Sequence, residues 1–110
     1  MRYAIWVAGD QGQTDGAVKE RAKPKQQDPT LHKVVLLNDD YTTMEFVVHV
    51  LETVFQKSPA EAHGIMMQVH LNGRGVAGVY PWEVAETKVE ALTAMAREAK
   101  YPLRATIEDA

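Results

Sequence analysis

The sequence predicts an α+β fold, a β-α-α-β-α-β sandwich in which a three-stranded antiparallel sheet carries three helices on one face. Two β-type stretches indicate the sheet: an apolar run at residues 32–38 that ends in turn-forming residues, and a clean apolar–polar alternation at residues 103–108. Two helix-start signals and a long amphipathic stretch after Pro81 indicate the helices.

The first helix is predicted directly after the first strand. Thr42 and Glu45 have the spacing of a capping box, so we expect the Thr42 hydroxyl to accept a hydrogen bond from the Glu45 amide. Apolar residues then recur at helical spacing from Met44 to Phe55. They predict one broad buried face.

The second helix has a signal at each end. Ser58, Pro59 and Glu61 form a second capping box with proline at the first helical position, and Gly73 is the expected left-handed terminator. Residues 62–70 carry its predicted inward face, which ends in His70.

A short strand at residues 75–80 and a long helix from Pro81 to about residue 100 come next. Proline ends that helix at residue 102. The spacing of apolar residues predicts that the buried side of the long helix consists of Val84, Ala91, Leu92, Met95 and Ala99.

Composition excludes several classes of function. The 110 residues are 45% apolar and 25% charged with a net charge of −3, which is ordinary for a globular domain and unlike a protein that binds nucleic acid or an anionic membrane. No stretch approaches the roughly 18 apolar residues of a membrane span. Cysteine is absent, which excludes disulfides and makes structural zinc unfavourable. We expect a cytoplasmic protein, because the apolar stretch at residues 1–9 is too short for a secretory signal.

The chain divides into an arm and a core. Val18 is the only large aliphatic residue between Gly9 and Leu31, so the segment cannot bury enough apolar surface to offset the entropy of ordering it. We therefore predict a flexible N-terminal arm at residues 1–30 and one core domain at residues 31–110.

A cluster of acceptors follows the first strand. Asn38, Asp39 and Asp40 stand at its end, and His70 lies on a helix expected to pack nearby. Considered separately, the three acceptors are typical of a turn, and His70 is typical of a hydrogen-bonded core residue. Together they favour a site for an ammonium group, which carries three N–H donors and no acceptor.

Two other chemistries compete for this cluster. The two carboxylates and the imidazole are metal-ligand types, but adjacent aspartates at a strand end often diverge, and the spacing of His63 and His70 matches no zinc signature. An acid–base pair of Asp39 or Asp40 with His70 would serve an enzyme. No nucleophile or phosphate-binding loop accompanies that pair, and Gly73-Arg74-Gly75 is too short for one. We expect no cofactor, no metal and no catalysis.

Separated motifs in the same order resemble the ClpS family, adaptors that deliver N-degron substrates to the ClpAP protease. The resemblance covers residues 31–108 and implies an α+β sandwich without enzymatic activity. The motifs are Val-Leu-Leu-Asn-Asp-Asp-Tyr-Thr (35–42), Met-Glu-Phe-Val (44–47), Met-x-x-Val-His (66–70), Gly-Val-Tyr (78–80), Glu-Val-Ala-Glu-Thr-Lys (83–88) and Tyr-Pro-Leu (101–103).

The resemblance also implies a role for individual residues. The free α-amino group of a substrate would be held by Asn38, Asp39, Asp40 and His70. The pocket for its first side chain would be lined by Leu36, Thr42, Met44, Val47, Met66, Val69 and Leu103. The N-terminal domain of a ClpA-type unfoldase would be contacted by Glu83 and Lys88, and the arm would serve substrate handover.

Met44 corresponds to the residue that rejects β-branched side chains in this family, and Thr43 stands where the family usually has proline. The expected ligands are thus proteins and peptides that begin with Leu, Phe, Tyr or Trp. The alternative is a module of the same fold that binds another amine or another partner.

Overall fold

The computed structural model describes residues 31–110, so the predicted flexible arm at residues 1–30 lies outside the part described. The elements are β1 (Leu31–Leu37), α1 (Met44–Thr53), α2 (Pro59–Asn72), β2 (Arg74–Pro81), α3 (Trp82–Ala99) and β3 (Arg104–Asp109). This order confirms the predicted β-α-α-β-α-β fold.

The sheet is antiparallel throughout, with β1 at its centre and the order β2-β1-β3. Val34 faces Gly78 on one side and Ile107 on the other. The register of β1 against β2 shifts between Val34 and Val35, and this leaves Ala77 as an extra residue in β2. The central strand β1 is therefore paired on both sides, and its last residue is followed by the loop at residues 38–43.

The core lies between one face of this sheet and the helices. Val34 and Leu36 of β1 point into it, while Val35 alternates to the other face. All three helices contribute fully or nearly buried residues to the same cluster, which confirms the predicted placement of the helices on one face: Val47, Val50, Leu51, Ala62, Met66, Val69, Ala85, Leu92 and Ala96. Each large aliphatic buried in this way stabilises the fold by roughly 1.5–3 kcal/mol.

The cap of α1 is Thr43 and not Thr42, so the predicted capping box is wrong by one residue. Thr43 has extended backbone angles (φ −75°, ψ 153°), and its hydroxyl accepts a hydrogen bond from the Phe46 amide at 3.1 Å. The Thr42 hydroxyl instead donates to Asp39. Because both residues are threonines before a helix, the sequence pattern does not separate the two registers.

Both predicted signals of α2 are confirmed. The Ser58 hydroxyl accepts from the Glu61 amide at 3.2 Å, and the Glu61 carboxylate accepts from the Ser58 amide at 3.0 Å. Gly73 ends the helix in the left-handed conformation, with φ 86°. The helix that carries His70 is thus fixed at both ends.

The buried side of α3 differs from the prediction. Leu92 is buried as expected and Met95 is half-buried, but Val84, Ala91 and Ala99 are exposed. The fully buried positions of the helix are Ala85, Leu92 and Ala96. Two of these are alanines, whose small side chains let the helix approach the sheet closely but give little hydrophobic contrast in the sequence.

Candidate functional site

A cavity of about 270 Å³ opens where the loop after β1 meets the start of α1 and the last turns of α2. Its volume is just under the range of pockets that hold drug-sized ligands, so it suits a group the size of one amino-acid residue. Nine of the predicted site residues line it: Asn38, Asp39, Asp40, Thr42, Met44, Val47, Met66, Val69 and His70.

Two of the predicted pocket residues do not line this cavity. Leu36 and Leu103 have 0% and 4% of their surface exposed and belong to the core cluster. In this structure they pack among the core residues that support the cavity, and contact between either leucine and a ligand stays a prediction.

One half of the cavity is apolar. Val47 of α1 and Met66 and Val69 of α2 are buried and lie side by side in the core cluster. Met44, the first residue of α1, also lines the cavity but has 42% of its surface exposed. It therefore stands where the apolar half opens to solvent, on a helix end fixed by the Thr43 cap.

Asp39 orders the polar half of the cavity. Its Oδ1 accepts hydrogen bonds from the amides of Tyr41 and Thr42 at 2.8 and 2.7 Å, and its Oδ2 accepts from the Thr42 hydroxyl at 2.8 Å. Aspartate side chains close turns in this way when amides follow two and three residues later. We call residues 38–42 the acceptor loop, since one carboxylate fixes its shape.

The charge of Asp39 is stabilised in the folded protein. Partial burial of the carboxyl acts to raise its pKa, but the hydrogen bonds from Thr42 and Tyr41 and the nearby positive charge of Arg104 together hold that pKa below the ordinary value. Asp39 is thus a permanently charged, well-bonded group at neutral pH. Its three hydrogen bonds fix the orientation of the carboxylate, which lines the cavity.

The other acceptors are open. Asn38, Asp40 and His70 are exposed, and within residues 31–110 their side chains make no hydrogen bond or ion pair. His70 is therefore a surface group beside the cavity and not a hydrogen-bonded core histidine. Three unpaired polar side chains around one opening are available to an N–H donor.

A backbone hydrogen bond joins the two sides of the site. The Asn38 amide donates to the Gly73 carbonyl at 2.9 Å, so the acceptor loop is tied to the end of α2. Neither this bond nor the bonding of Asp39 was predicted from the sequence. The spacing of Asp39, Tyr41 and Thr42 is the signal that would have identified the turn.

The two residues predicted to bind an unfoldase lie in different surroundings. Glu83 is exposed in the first turn of α3. Lys88 is half-buried, and its ammonium donates to the Val54 carbonyl at 2.7 Å and to Gln56 Oε1 at 2.9 Å. The observed contacts of Lys88 are therefore internal, where it stabilises the carboxyl end of α1.

Lys88 also lies over two aromatic rings, with its Nζ 5.3 Å from the centroid of Tyr80 and 6.0 Å from that of Phe55. Burial lowers the pKa of this lysine. Its contact with a partner stays a prediction.

In residues 31–110, no group of three or more His, Asp or Glu side chains is arranged to hold a metal ion. In the same range, no helix has the length and apolar character needed to cross a bilayer.

Comparison with known proteins identifies the family. A family model described as ATP-dependent Clp protease adaptor protein ClpS matches residues 27–106. The chain belongs to the ClpS family. The predicted resemblance is thereby confirmed, and the domain is an adaptor of the Clp protease and not itself a protease.

Curated ClpS proteins are similar over most of their length. The ClpS adapter of Rhodospirillum centenum is 53% identical over 100 residues, covering 91% of this chain and 92% of the relative. That of Caulobacter vibrioides (strain NA1000 / CB15N) is 54% identical over 101 residues, covering 91% and 93%.

A solved structure has the same fold. Agrobacterium tumefaciens ClpS2 bound to L-phenylalaninamide superposes with a TM-score of 0.72 at 43% sequence identity. The superposition covers 76% of this chain and all of that ClpS2 chain.

Acid is expected to weaken the acceptor loop. Because the pKa of Asp39 is lowered by folding, the unfolded chain binds a proton more readily. The stabilisation from Asp39 is complete above the ordinary carboxyl pKa of 3.8 and is lost as the pH falls through the lowered folded value. Asp39→Asn should therefore lower the melting temperature at pH 7, and this difference from the wild type should shrink toward pH 3.

The matched control for this measurement is Asp40→Asn. The side chain of Asp40 has no hydrogen bond within residues 31–110. The melting temperature of the Asp40→Asn variant should therefore equal that of the wild type at both pH values. A difference between Asp39→Asn and wild type that is the same at pH 7 and pH 3 would contradict the role of the Asp39 charge.

Proposed function

We propose that this protein is an N-degron adaptor. It binds the free α-amino group and the large apolar first side chain of a substrate, and it delivers that substrate to the ClpA unfoldase of the ClpAP protease. One observation carries the proposal: the unpaired acceptors Asn38, Asp40 and His70 share a single cavity with an apolar surface of the right size. Membership of the ClpS family supports it.

The polar half suits an ammonium group and repels an anion. An ammonium has three N–H donors, and the cavity offers the Asn38 carbonyl, the carboxylates of Asp39 and Asp40, and an imidazole nitrogen of His70. Hydrogen bonds to charged groups contribute about 1.5–3 kcal/mol each, whereas an ammonium left unpaired in a partly buried site costs several kcal/mol. Acetylated chains lack both the charge and two of the donors, so they are excluded.

The apolar half suits a large apolar side chain that is unbranched at Cβ. Burial of a Leu or Phe side chain against Val47, Met66 and Val69 contributes about 1.5–3 kcal/mol. After the cost of association, the two halves together support a dissociation constant on the order of micromolar. Neither half reaches that affinity alone, so the protein distinguishes a large apolar residue at the beginning of a chain from the same residue inside it.

The ligand of a relative has this chemistry. L-phenylalaninamide, bound to Agrobacterium tumefaciens ClpS2, carries a free α-amino group and an aromatic side chain on the same carbon atom. The 43% identity of that protein to this chain supports a similar ligand here. We expect Leu, Phe, Tyr and Trp as first residues, each of which offers apolar surface beyond an unbranched Cβ.

Delivery requires a second surface away from the cavity. Glu83 is exposed at the start of α3, whereas the cavity lies between the acceptor loop, α1 and α2. A ClpA-type unfoldase bound at Glu83 would thus leave the substrate site open. Lys88 shapes the same region by holding the turn after α1 through Val54 and Gln56.

The amine requirement is tested with two peptides that differ by one acetyl group. Fluorescence anisotropy should show micromolar binding of a Leu-first peptide and at least a hundredfold weaker binding of its N-acetylated twin, because acetylation removes the charge and two N–H donors. Equal affinity for the two peptides would refute the proposed function.

Met44 is expected to exclude β-branched first residues. It stands at the opening of the apolar half. We expect its side chain to meet the Cβ substituents of a bound first residue. Met44→Ala should bind Ile-first and Val-first peptides that the wild type rejects, while Leu-first peptides lose only a few-fold in affinity. If Ile-first peptides remain excluded from the variant, the selectivity arises elsewhere.

His70→Ala should weaken binding without unfolding the domain. The loss of one hydrogen bond to a charged group corresponds to about a tenfold lower affinity or more. Since His70 is exposed, the melting temperature of the variant should stay close to that of the wild type.

The control for this variant is His63→Ala, which removes another exposed histidine of α2 that does not line the cavity. It should leave both affinity and stability unchanged. A large loss of stability in His70→Ala, or an equal loss of affinity in both variants, would show that His70 does not contact the amine.

A further inference from the structure

Gly73 joins α2 to β2, and Arg74 and Gly75 are the first two residues of β2. We call these three residues the turn; they contact residues of both halves of the cavity. We propose that this turn is the positioning element of the site: Gly73 fixes the acceptor loop through Asn38, and Gly75 fixes the apolar surface through Val69. The inference rests on the proposed function. It states that the two glycines hold the polar and apolar halves of the cavity in the relative position that lets one ligand residue bind to both.

Arg74 anchors the turn and does not line the cavity. Its guanidinium donates to both carboxylate oxygens of Glu108 at 2.6 Å. In the sheet register, Arg74 aligns with Leu37 and Glu108 aligns with Lys33, so the ion pair crosses the central strand diagonally. The turn is thereby tied to β3 on the sheet face opposite the core.

Gly73 connects the turn to the amine end of the site. Its amide donates to the Val69 carbonyl at 3.0 Å, and its own carbonyl accepts from the Asn38 amide at 2.9 Å. The second bond depends on the left-handed backbone of Gly73, with φ 86° and ψ −14°, because these angles set the direction of its carbonyl. Residues with a Cβ atom adopt that conformation at a cost of about 1–2 kcal/mol, and asparagine tolerates it better than most.

Gly75 connects the turn to the apolar end. A Cβ atom at this position would lie 2.9 Å from Cγ2 of Val69 and 3.2 Å from the carbonyl oxygen of Ile65. The first separation is shorter than a van der Waals contact, and the second leaves little room. Since Val69 is β-branched and has one preferred rotamer in a helix, the side chain cannot turn away. The absence of a side chain at Gly75 therefore lets α2 lie directly on β2.

The position of α2 on β2 sets the shape of the cavity. The part of α2 that packs against Gly75 contains Val69. The cavity residues Met66 and His70 lie in the same last turns of α2. A side chain at position 75 would move this part of the helix outward by a few tenths of an ångström and widen the apolar half. A wider cavity loses contact with Leu more than with Trp.

The test compares peptides on one variant. In Gly75→Ala, the ratio of Trp-first to Leu-first affinity should rise at least threefold over that of the wild type, measured by fluorescence anisotropy. A general loss of folded protein would lower both affinities equally and leave the ratio unchanged, which would overturn the inference. Gly64→Ala is the matched control, because Gly64 lies in α2 with nothing within 4 Å of its added Cβ, and its ratio should equal that of the wild type.

A second variant tests the route through Val69. Gly75→Ala combined with Val69→Ala removes the 2.9 Å contact, so the two effects on affinity should be strongly non-additive. Additive effects would contradict the proposed coupling. This comparison also covers the case in which Gly75→Ala alone folds poorly.

Gly73 is tested by its conservative variant. Gly73→Val should weaken binding of every free-amine peptide at least threefold, and Gly73→Asn should retain most of the wild-type affinity, because asparagine tolerates the left-handed backbone. Equal affinity in Gly73→Val and wild type would overturn this half of the inference. If the wild type itself fails to distinguish free from acetylated peptides, the proposed function fails, and the effects of the glycine variants on cavity shape are then judged by structure determination.

Discussion

The candidate site depends on a loop whose shape is fixed by one carboxylate. Asp39 accepts three hydrogen bonds from Tyr41 and Thr42 and so closes the turn between the central strand and α1. The adjacent residues Asn38 and Asp40 are then held outward with their acceptors unpaired within residues 31–110. Because these hydrogen bonds hold the Asp39 carboxylate in one orientation, its negative charge favours a cation at the loop while the side chain stays with its own partners.

Stability and recognition are only partly separated in this small domain. Core residues such as Val34, Leu51 and Leu92 do not line the cavity, whereas Val47, Met66 and Val69 belong to the core and also line it. The proposed recognition residues Asn38, Asp40 and His70 are exposed, so we expect changes there to affect binding more than folding. Among the residues in both groups, Val69 lies closest to Gly75, and we propose that packing at Gly75 affects the ligand through it.

The fold was predictable because its local signals agree with its tertiary structure. Ser58 and Gly73 mark the ends of α2 in the sequence and occupy those positions in the structure. The prediction was wrong where neighbouring residues offer the same chemistry, as with Thr42 and Thr43, or where buried residues are small, as with Ala85 and Ala96.

The convergence of the polar residues was predictable from residue type and order. The strand end and the face of α2 that carries His70 meet at one cavity by topology. The apolar lining was expected only from the family resemblance, and two of its residues, Leu36 and Leu103, lie in the core instead. Contacts between residues far apart in sequence carry no local signal. The internal bonding of Lys88 to Val54 and the close approach of Gly75 to Val69 are of this kind.

The central claim is that the amine and the first side chain are read as one unit. Isothermal titration calorimetry with a Leu-first peptide, and with the same peptide extended by one alanine before the leucine, tests it most directly. Both peptides carry a free amine and a leucine side chain. Only in the first peptide are the amine and this side chain attached to the same carbon atom. We expect micromolar binding of the first peptide and at least a fiftyfold loss for the extended one. Comparable affinities would show that the cavity binds the amine and the side chain independently, which would contradict their recognition as one unit.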